Sequence, residues 1–403
     1  MDACAKIRII ILRYIMRRVF MKQMMQKISI LSLSFMLITT YAVSVALPAM
    51  QEYYVGYSRA SVEQLVSITS FAMTIVIIFN LWLSKFLSQR VSITLGILLL
   101  MISGSAPVFV QNYHFVLVTR ILLGVGIGLV NSHAINLINE FYEGAERAAL
   151  LGFRSAVEVL GNAILTLVAG WLLTFGWSKA FAIYLTAILV LILYYCFVPK
   201  QKKTAAKQEH VEKVTAADIK KHLPALISIL ALGYFTISIN SAITMRIPVL
   251  TLERNLGTDS QSSLVLSLMM MTGVVSGICF GKMLQLLKSR LMGVCMLFLG
   301  GSLLLVGVSG HIFLLTAGAM ISGISYNLLA TLVFHRVSEK LPAHVMRIGT
   351  TCGLVGCNMG AFTSPYVMKL MELVNDSSHT PLMMMAAISI VLGGVMLFAG
   401  KKK

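Results

Sequence analysis

Apolar runs of about twenty residues recur along the whole chain, each bounded by charges or turn formers, and this recurrence limits the fold more than any other feature. A helix needs roughly 20 apolar residues to cross a hydrocarbon core of ~30 Å, and inside that core every backbone N–H and C=O must bond within its own segment. The runs lie near 28–50, 64–84, 91–110, 114–139, 149–175 and 179–198. After a polar stretch they resume near 223–249, 263–285, 290–309, 312–336, 347–372 and 379–400. The chain therefore reads as an all-α polytopic membrane protein, with about twelve transmembrane helices in two pseudo-symmetric six-helix bundles. Composition agrees: 58% hydrophobic residues, 12% charged and a mean hydropathy of +0.86 leave too little polar surface to coat a water-soluble globule. Repetition of the runs excludes a lone anchor, a signal peptide and a β-barrel.

The organisation follows from the polar gaps. We read 1–27 as a basic amphipathic N-terminal segment, 28–198 as the first bundle, 199–222 as a linker, 223–400 as the second bundle and 401–403 as a basic tail. The first segment either lies along the inner membrane surface or is an extension ahead of Met21 or Met24. A net charge of +18 would suggest nucleic acid in a soluble protein, but here the basic residues sit between apolar runs. Arg8, Arg13, Lys22, Lys27, the 200–221 stretch, Lys85, Arg90, Arg147, Lys288, Arg336, Lys340 and Lys401 fall on one side, and little more than Arg59, Lys179 and Arg254 on the other. By the positive-inside rule both termini are cytoplasmic, in a bacterial-type cytoplasmic membrane. The expected partners are the lipid bilayer, a small solute and protons, with no nucleic acid and a monomeric state.

The halves echo each other. Pro48 falls on Pro248, Glu52 and Gly56 on Glu253 and Gly257, and Asn131 and Asn162 on Asn327 and Asn358. Internal repeats of this kind are how many transporter folds are built.

In the fourth run Arg120 is followed by Leu123, Gly124, Gly126 and Gly128, and the eleventh carries Asn358, Gly360 and Pro365. With six plus six spans and a basic central loop, these patterns resemble the major facilitator superfamily. Small residues at such spacing let helix backbones approach closely, so Gly124, Gly126, Gly128 and Gly360 are assigned to helix packing. The loop after the second span is similar to the family's gating loop at Ser84, Lys85 and Arg90, and its second-half counterpart at Gly281 and Gln285, but both lack the motif's acid. The fifth span lacks the proline motif of the resembling antiporters.

Glu158 is the leading candidate for proton coupling. It lies 11 positions after Arg147, roughly 16 Å deep at ~1.5 Å per residue, where a carboxylate is expensive unless it works or is paired. Arg154 stands four residues earlier on the same face, so a purely structural pair is the alternative. Arg120, by the resemblance, and His133, by its titration range, complete the coupling candidates; for these, snorkelling and packing are the alternatives. Asn131, Asn240, Tyr326, Asn327 and Asn358 are polar groups inside spans and are expected to line a substrate cavity or to bond between helices. Arg246 reads as an outer-interface anchor or an attractor of anionic solutes. Runs such as Met269–Met271 and Met383–Met385 offer either adaptable binding surface or packing.

Cys4, Cys196, Cys279, Cys295, Cys352 and Cys357 show no metal spacing, and no nucleotide loop or nucleophile triad occurs. The chain is expected to need no cofactor and to be no enzyme; a lipid or isoprenoid transferase would cluster acids or His in an interfacial loop. The resemblance implies a secondary active transporter working by alternating access, proton-coupled, with efflux of a small organic solute first and proton-coupled uptake of a metabolite second. A non-transporting sensor of the same fold stays open.

Overall fold

In the computed structural model the described residues are 21–37, 39–199, 216–375 and 377–399, and among these all regular structure is helical. The sequence expectations for 1–20, for most of the linker and for the tail lie outside them. The first span is broken. Helix α1 (Met21–Phe35) meets a tightened 3-10 segment (Thr39–Ala46) and α2 (Leu47–Tyr53) at a bend of 49°. Thereafter come α3 (Arg59–Phe86), α4 (Gln89–Ser105), α5 (Tyr113–Phe141), α6 (Gly144–Leu173), a second 3-10 segment (Trp177–Thr186) and α7 (Ala187–Phe197). The second half holds α8 (Ala216–Glu253), α9 (Asp259–Leu287), α10 (Leu291–Gly307), α11 (Ile312–Lys340), α12 (Ala343–Glu372) and α13 (Thr380–Ala399). Helical structure reaches back to Met21 and Ala216, ahead of the bundle starts read from hydropathy at 28 and 223.

Nine of these helices are long and apolar enough to cross a membrane, and the bent first pair makes a tenth. The remaining two segments fall short for separate reasons. At ~1.5 Å per residue the 17 residues of α10 reach about 25 Å, short of a full core. Helix α12 has ample length at 30 residues, but its Asn358, Thr363, Ser364, Lys369 and Glu372 lower its apolar average. Helix starts are set by polar caps at the turns: Ser58 accepts from the Ser61 amide, Ser88 from Val91, and Asn112 from His114 and Phe115. Thr258 and Gln261 form a reciprocal capping box at the start of α9.

Packing repeats between the halves. Helix α3 packs on α5 as α9 packs on α11, and α4 on α5 as α10 on α11. The 39–46 segment lies on α6 as α8 lies on α12, and α4 packs on the sixth span as α10 packs on α13. Glycines make these contacts close. A Cβ on Gly124 would come within 2.3 Å of the Thr69 carbonyl and one on Gly128 within 2.7 Å of Val76, both on α3, while Gly126 turns the other way to the Gly96 carbonyl of α4 at 2.7 Å. In the second half Gly323 meets the Met269 carbonyl at 2.0 Å, and Gly356 and Gly360 meet α8 at 2.3 and 2.2 Å. Two helix pairs join the bundles, α3 with α12 and α6 with α9. Phe71 packs on Phe362 with ring centroids 4.8 Å apart, and Ser267 Oγ donates to the Ala163 carbonyl at 2.9 Å.

Gly323→Ala is expected to lower stability by about 1–3 kcal/mol, because the clash is with backbone that cannot give way. Gly277→Ala, whose added carbon meets nothing within 4 Å, should leave the melting temperature of the purified protein unchanged.

Candidate functional site

A cavity of about 550 Å³ lies at mid-depth between the bundles. The first half contributes Thr40 and Tyr41, Ser70 and Met73 of α3, and Glu158 and Asn162 of α6. Facing them are Asn240 of α8, Met269 and Met270 of α9, Tyr326, Asn327 and Phe334 of α11, and Cys357 and Asn358 of α12. Four of the five predicted cavity residues, Asn240, Tyr326, Asn327 and Asn358, line it. The fifth, Asn131, does not; its Oδ1 accepts from Arg154 at 2.8 Å. The repeat pair Asn162 and Asn358 faces the cavity from opposite halves.

Glu158 is the charged residue in this wall. Arg154, one helical turn away on α6, holds it at 2.5 Å, with the two side chains only 12% and 13% exposed. Asn131, Arg154 and Glu158 thus form one chain of polar contacts within the first bundle, ending in the cavity. A solute entering there meets a carboxylate already shared with a guanidinium, beside amides, hydroxyls and thioethers. Asn162 Nδ2 reaches across the halves to Met270 Sδ at 3.2 Å, and its Oδ1 has no partner among the described residues.

The other coupling candidates lie elsewhere. Arg120 is 1% exposed, so it does not snorkel outward. It fills the space between α5, α4 and the 177–186 segment, donating to the Gly104 carbonyl at 2.9 Å and to Tyr184 Oη at 3.3 Å, with the Phe181 and Tyr184 rings under its guanidinium at 4.7 and 5.0 Å. His133 is buried, and its Nδ1 has no partner among the described residues. Neither touches the cavity. In the loop candidates, Arg90 stacks on Tyr195 at 4.8 Å and Tyr194 at 5.9 Å, both of its own bundle. Gly281 faces open space and Gln285 is exposed; the side chains of Ser84 and Lys85 lie outside the described set.

The end of the bundle opposite Met21 and Ala399, here the far end, holds a cluster that sequence reasoning missed. Arg246 is not an interfacial anchor. It is 1% exposed, and its Nη2 lies 2.7 Å from Glu372 of its own half and 3.4 Å from Glu63 of the other. Glu63 is fully buried. Around these, Arg59 of α3 reaches Glu253 at 2.8 Å, Glu372 at 3.6 Å and Ser378 at 2.6 Å, all in the second half. Deeper along the same seam, the Tyr41 and Ser241 hydroxyls bond at 2.8 Å. The signal for Glu63 was present: the Ser58 cap starts α3 at Arg59, which puts Glu63 a full turn inside the helix.

At the opposite end, Lys27 pairs with Glu146 at 2.6 Å within the first half, and Asp218 with His344 at 3.9 Å within the second. Phe334, in the cavity wall toward that end, is 40% exposed. The seam is thus closed at the far end by ionic and hydroxyl bridges between the halves.

Two repeated bundles around a mid-depth cavity, sealed at one end by contacts between halves, are the architecture of a membrane transporter. The chain belongs to the Major Facilitator Superfamily, whose sequence profile matches residues 29–361. Over 170 residues it is 23% identical to the arabinose-proton symporter of Escherichia coli (strain K12), a match covering 41% of this chain and 36% of the symporter. It thus spans little more than a third of the length of that curated relative. Its fold is that of a peptide transporter POT solved in complex with sulfate, with TM-score 0.74 and 14% identity over 94% of each chain. A POT family transporter in complex with a thioalcohol conjugated peptide aligns with TM-score 0.76 and 14% identity over 93% of this chain and 96% of that one.

Replacing Arg246 by Met takes from Glu372 its shortest ionic contact inside the seam, and loss of one partner of a buried ionic cluster is expected to cost about 3–5 kcal/mol. Arg59→Gln breaks the pair with Glu253, whose members are 32% and 41% exposed, and a longer 3.6 Å contact to Glu372, and should cost less, about 1 kcal/mol. Thermal unfolding of the two purified variants checks the contrast.

Proposed function

We propose that this secondary transporter exchanges protons for a small amphipathic organic solute by alternating access, exporting the solute across a bacterial-type cytoplasmic membrane as a monomer. The terminal end is cytoplasmic in this reading, because the basic residues gather there and the far end carries few. The described conformation is then inward-open. Rocking of one bundle on the other about the α3–α12 and α6–α9 contacts exposes the cavity to each side in turn.

The observation that carries the reading is Glu158 in the cavity wall. A carboxylate that borders the solute's own space either holds a proton or, once ionised, receives the solute. The two ligands then compete, which is what exchange requires. Arg154 keeps the empty site from stranding a charge: when Glu158 takes a proton, the guanidinium turns to Asn131, already 2.8 Å away. The neighbouring Asn240, Asn327, Asn358 and Tyr326 supply orientation by hydrogen bonds. Leu37, Met73, Ile237, Met269, Met270 and Phe334 supply adaptable apolar contact.

Uptake of a polar metabolite with protons is the second reading, favoured by the amides in the wall and by the name of the arabinose-proton symporter. The two separate in one assay. A panel of sugars, amino acids, organic acids, nucleosides and amphipathic drugs is screened for thermal stabilisation of the purified protein, and the stabilising compound is followed in proteoliposomes. Exchange predicts that a pH gradient acid on one side drives the compound toward the acid side; symport predicts movement away from it. Glu158→Gln is expected to abolish gradient-driven net flux while keeping gradient-independent exchange of labelled for unlabelled compound. Unchanged gradient-driven flux in this variant would defeat the proposal.

A further inference from the structure

The far-end cluster contains more acid than base. Its members are Arg59 and Arg246 against Glu63, Glu253 and Glu372. The two short contacts, Arg59 to Glu253 at 2.8 Å and Arg246 to Glu372 at 2.7 Å, use one guanidinium and one carboxylate each. Glu63 is the carboxyl left over. It stands 3.4 Å from Arg246 Nη2, neither of its oxygens has a hydrogen-bond partner among the described residues, and it is fully buried. Glu253, by contrast, is 41% exposed and keeps its charge in contact with water.

The other ionisable groups about α3 at this level do not offset the surplus. Helix α5 presents Tyr113, whose hydroxyl donates to the Ser61 carbonyl, and the broken first span presents Tyr41, bonded to Ser241. At the end of α2, Glu52 lies beside Asp259 of α9 and adds only negative charge. An ionised carboxylate kept from water without hydrogen bonds is among the costliest arrangements in a protein.

We infer that Glu63 is a second proton-binding site, separate from Glu158: it holds a proton while the far end is closed and gives it to the far side when that end opens. The same residues supply the open state. Glu63 and Arg59 belong to α3, while Arg246, Glu253 and Glu372 belong to α8 and α12. Parting the bundles therefore takes Arg59 away from both its acids and leaves Arg246 with Glu372. Arg59 then lies one helical turn from Glu63, the i,i+4 spacing at which opposite charges pair on a helix. Freed Arg59 and wetted, ionised Glu63 satisfy each other. Protonation thus favours closing and ionisation favours opening, so the open population rises with pH. The site works the far gate; it does not depend on Glu158 carrying the coupling proton.

The test is the separation of spin labels placed at Val55 and Val374, exposed positions on opposite halves at the far end, in the full-length protein in lipid nanodiscs. Over about pH 5 to about pH 9, a range spanning carboxyl titration in and out of proteins, the long-distance population of the wild type is expected to grow. Glu63→Gln, the neutral isostere of the protonated acid, should stay at the short distance throughout and melt within a few degrees of the wild type. Glu158→Gln should keep the wild-type rise. The inference is overturned if the wild type shows no pH dependence, if Glu63→Gln opens with the wild-type profile or fails to fold, or if Glu158→Gln flattens the profile as well. The failure of exchange through Glu158 alone would leave this rise intact.

Discussion

Hydrocarbon offers no hydrogen bonds, and this constraint decides where every charge in the protein goes. Backbone groups are satisfied within helices, so the chain is helical wherever it is apolar. Charged side chains have no such local solution and must find each other or water. Arg120 does so inside the first bundle, against a carbonyl, a hydroxyl and two rings. Other deep ionisable groups collect where the two bundles face each other: Glu158 and Arg154 at the cavity, and Glu63, Arg246 and Glu372 at the far seam. The chemistry is concentrated along the surface that has to open and close.

The division of packing matches that placement. Within each bundle glycines bring backbones so close that added carbon atoms do not fit, as at Gly124 and Gly323. Between bundles the contacts include side chains meeting singly, such as Phe71 on Phe362 and Ser267 on the Ala163 carbonyl, with one close glycine approach, Gly170 to Ser263. Bundles built this way move as bodies, and the seam gives before they do. The most exposed bridges, those of Arg59, are weak by nature, whereas the Arg246–Glu372 pair lies inside one half and survives separation. Opening therefore asks little of the ionic cluster beyond finding a state for Glu63.

Much of this was legible in the sequence, for physical reasons that differ by residue. The many-span helical architecture follows from hydropathy, which falls short only in counting α10 and α12, and Asn162 and Asn358 already marked equivalent places in the two halves. Glu158 was legible because depth along a helix is a simple count from Arg147. Rotation about the helix axis was not: Arg120 and His133 lie at plausible depths but on faces turned away from the cavity, and runs apolar on all sides give no phase. Arg246 was misread and Glu63 passed over because each sits near a span end, where a charge ordinarily meets water. Their partnership joins positions far apart in the chain, and the order of residues does not say which helix ends converge. Helix α12 shows the same limit in another form: of the polar residues that lower its hydropathy, Asn358 faces the cavity and Glu372 the seam, while Thr363 and Ser364 bond to α8 within their own half.

The central claim is that the solute site is the cavity between the bundles, sealed at the far end in the described conformation. Cys357 lines that cavity and serves as a native reporter. Protein keeping Cys357 as its single cysteine, in vesicles of known orientation without any gradient, is treated with a membrane-impermeant maleimide from each side in turn. The account predicts alkylation of Cys357 from the side bearing the chain termini and protection from the other. Equal labelling from both sides, or labelling from the far side alone, would contradict it.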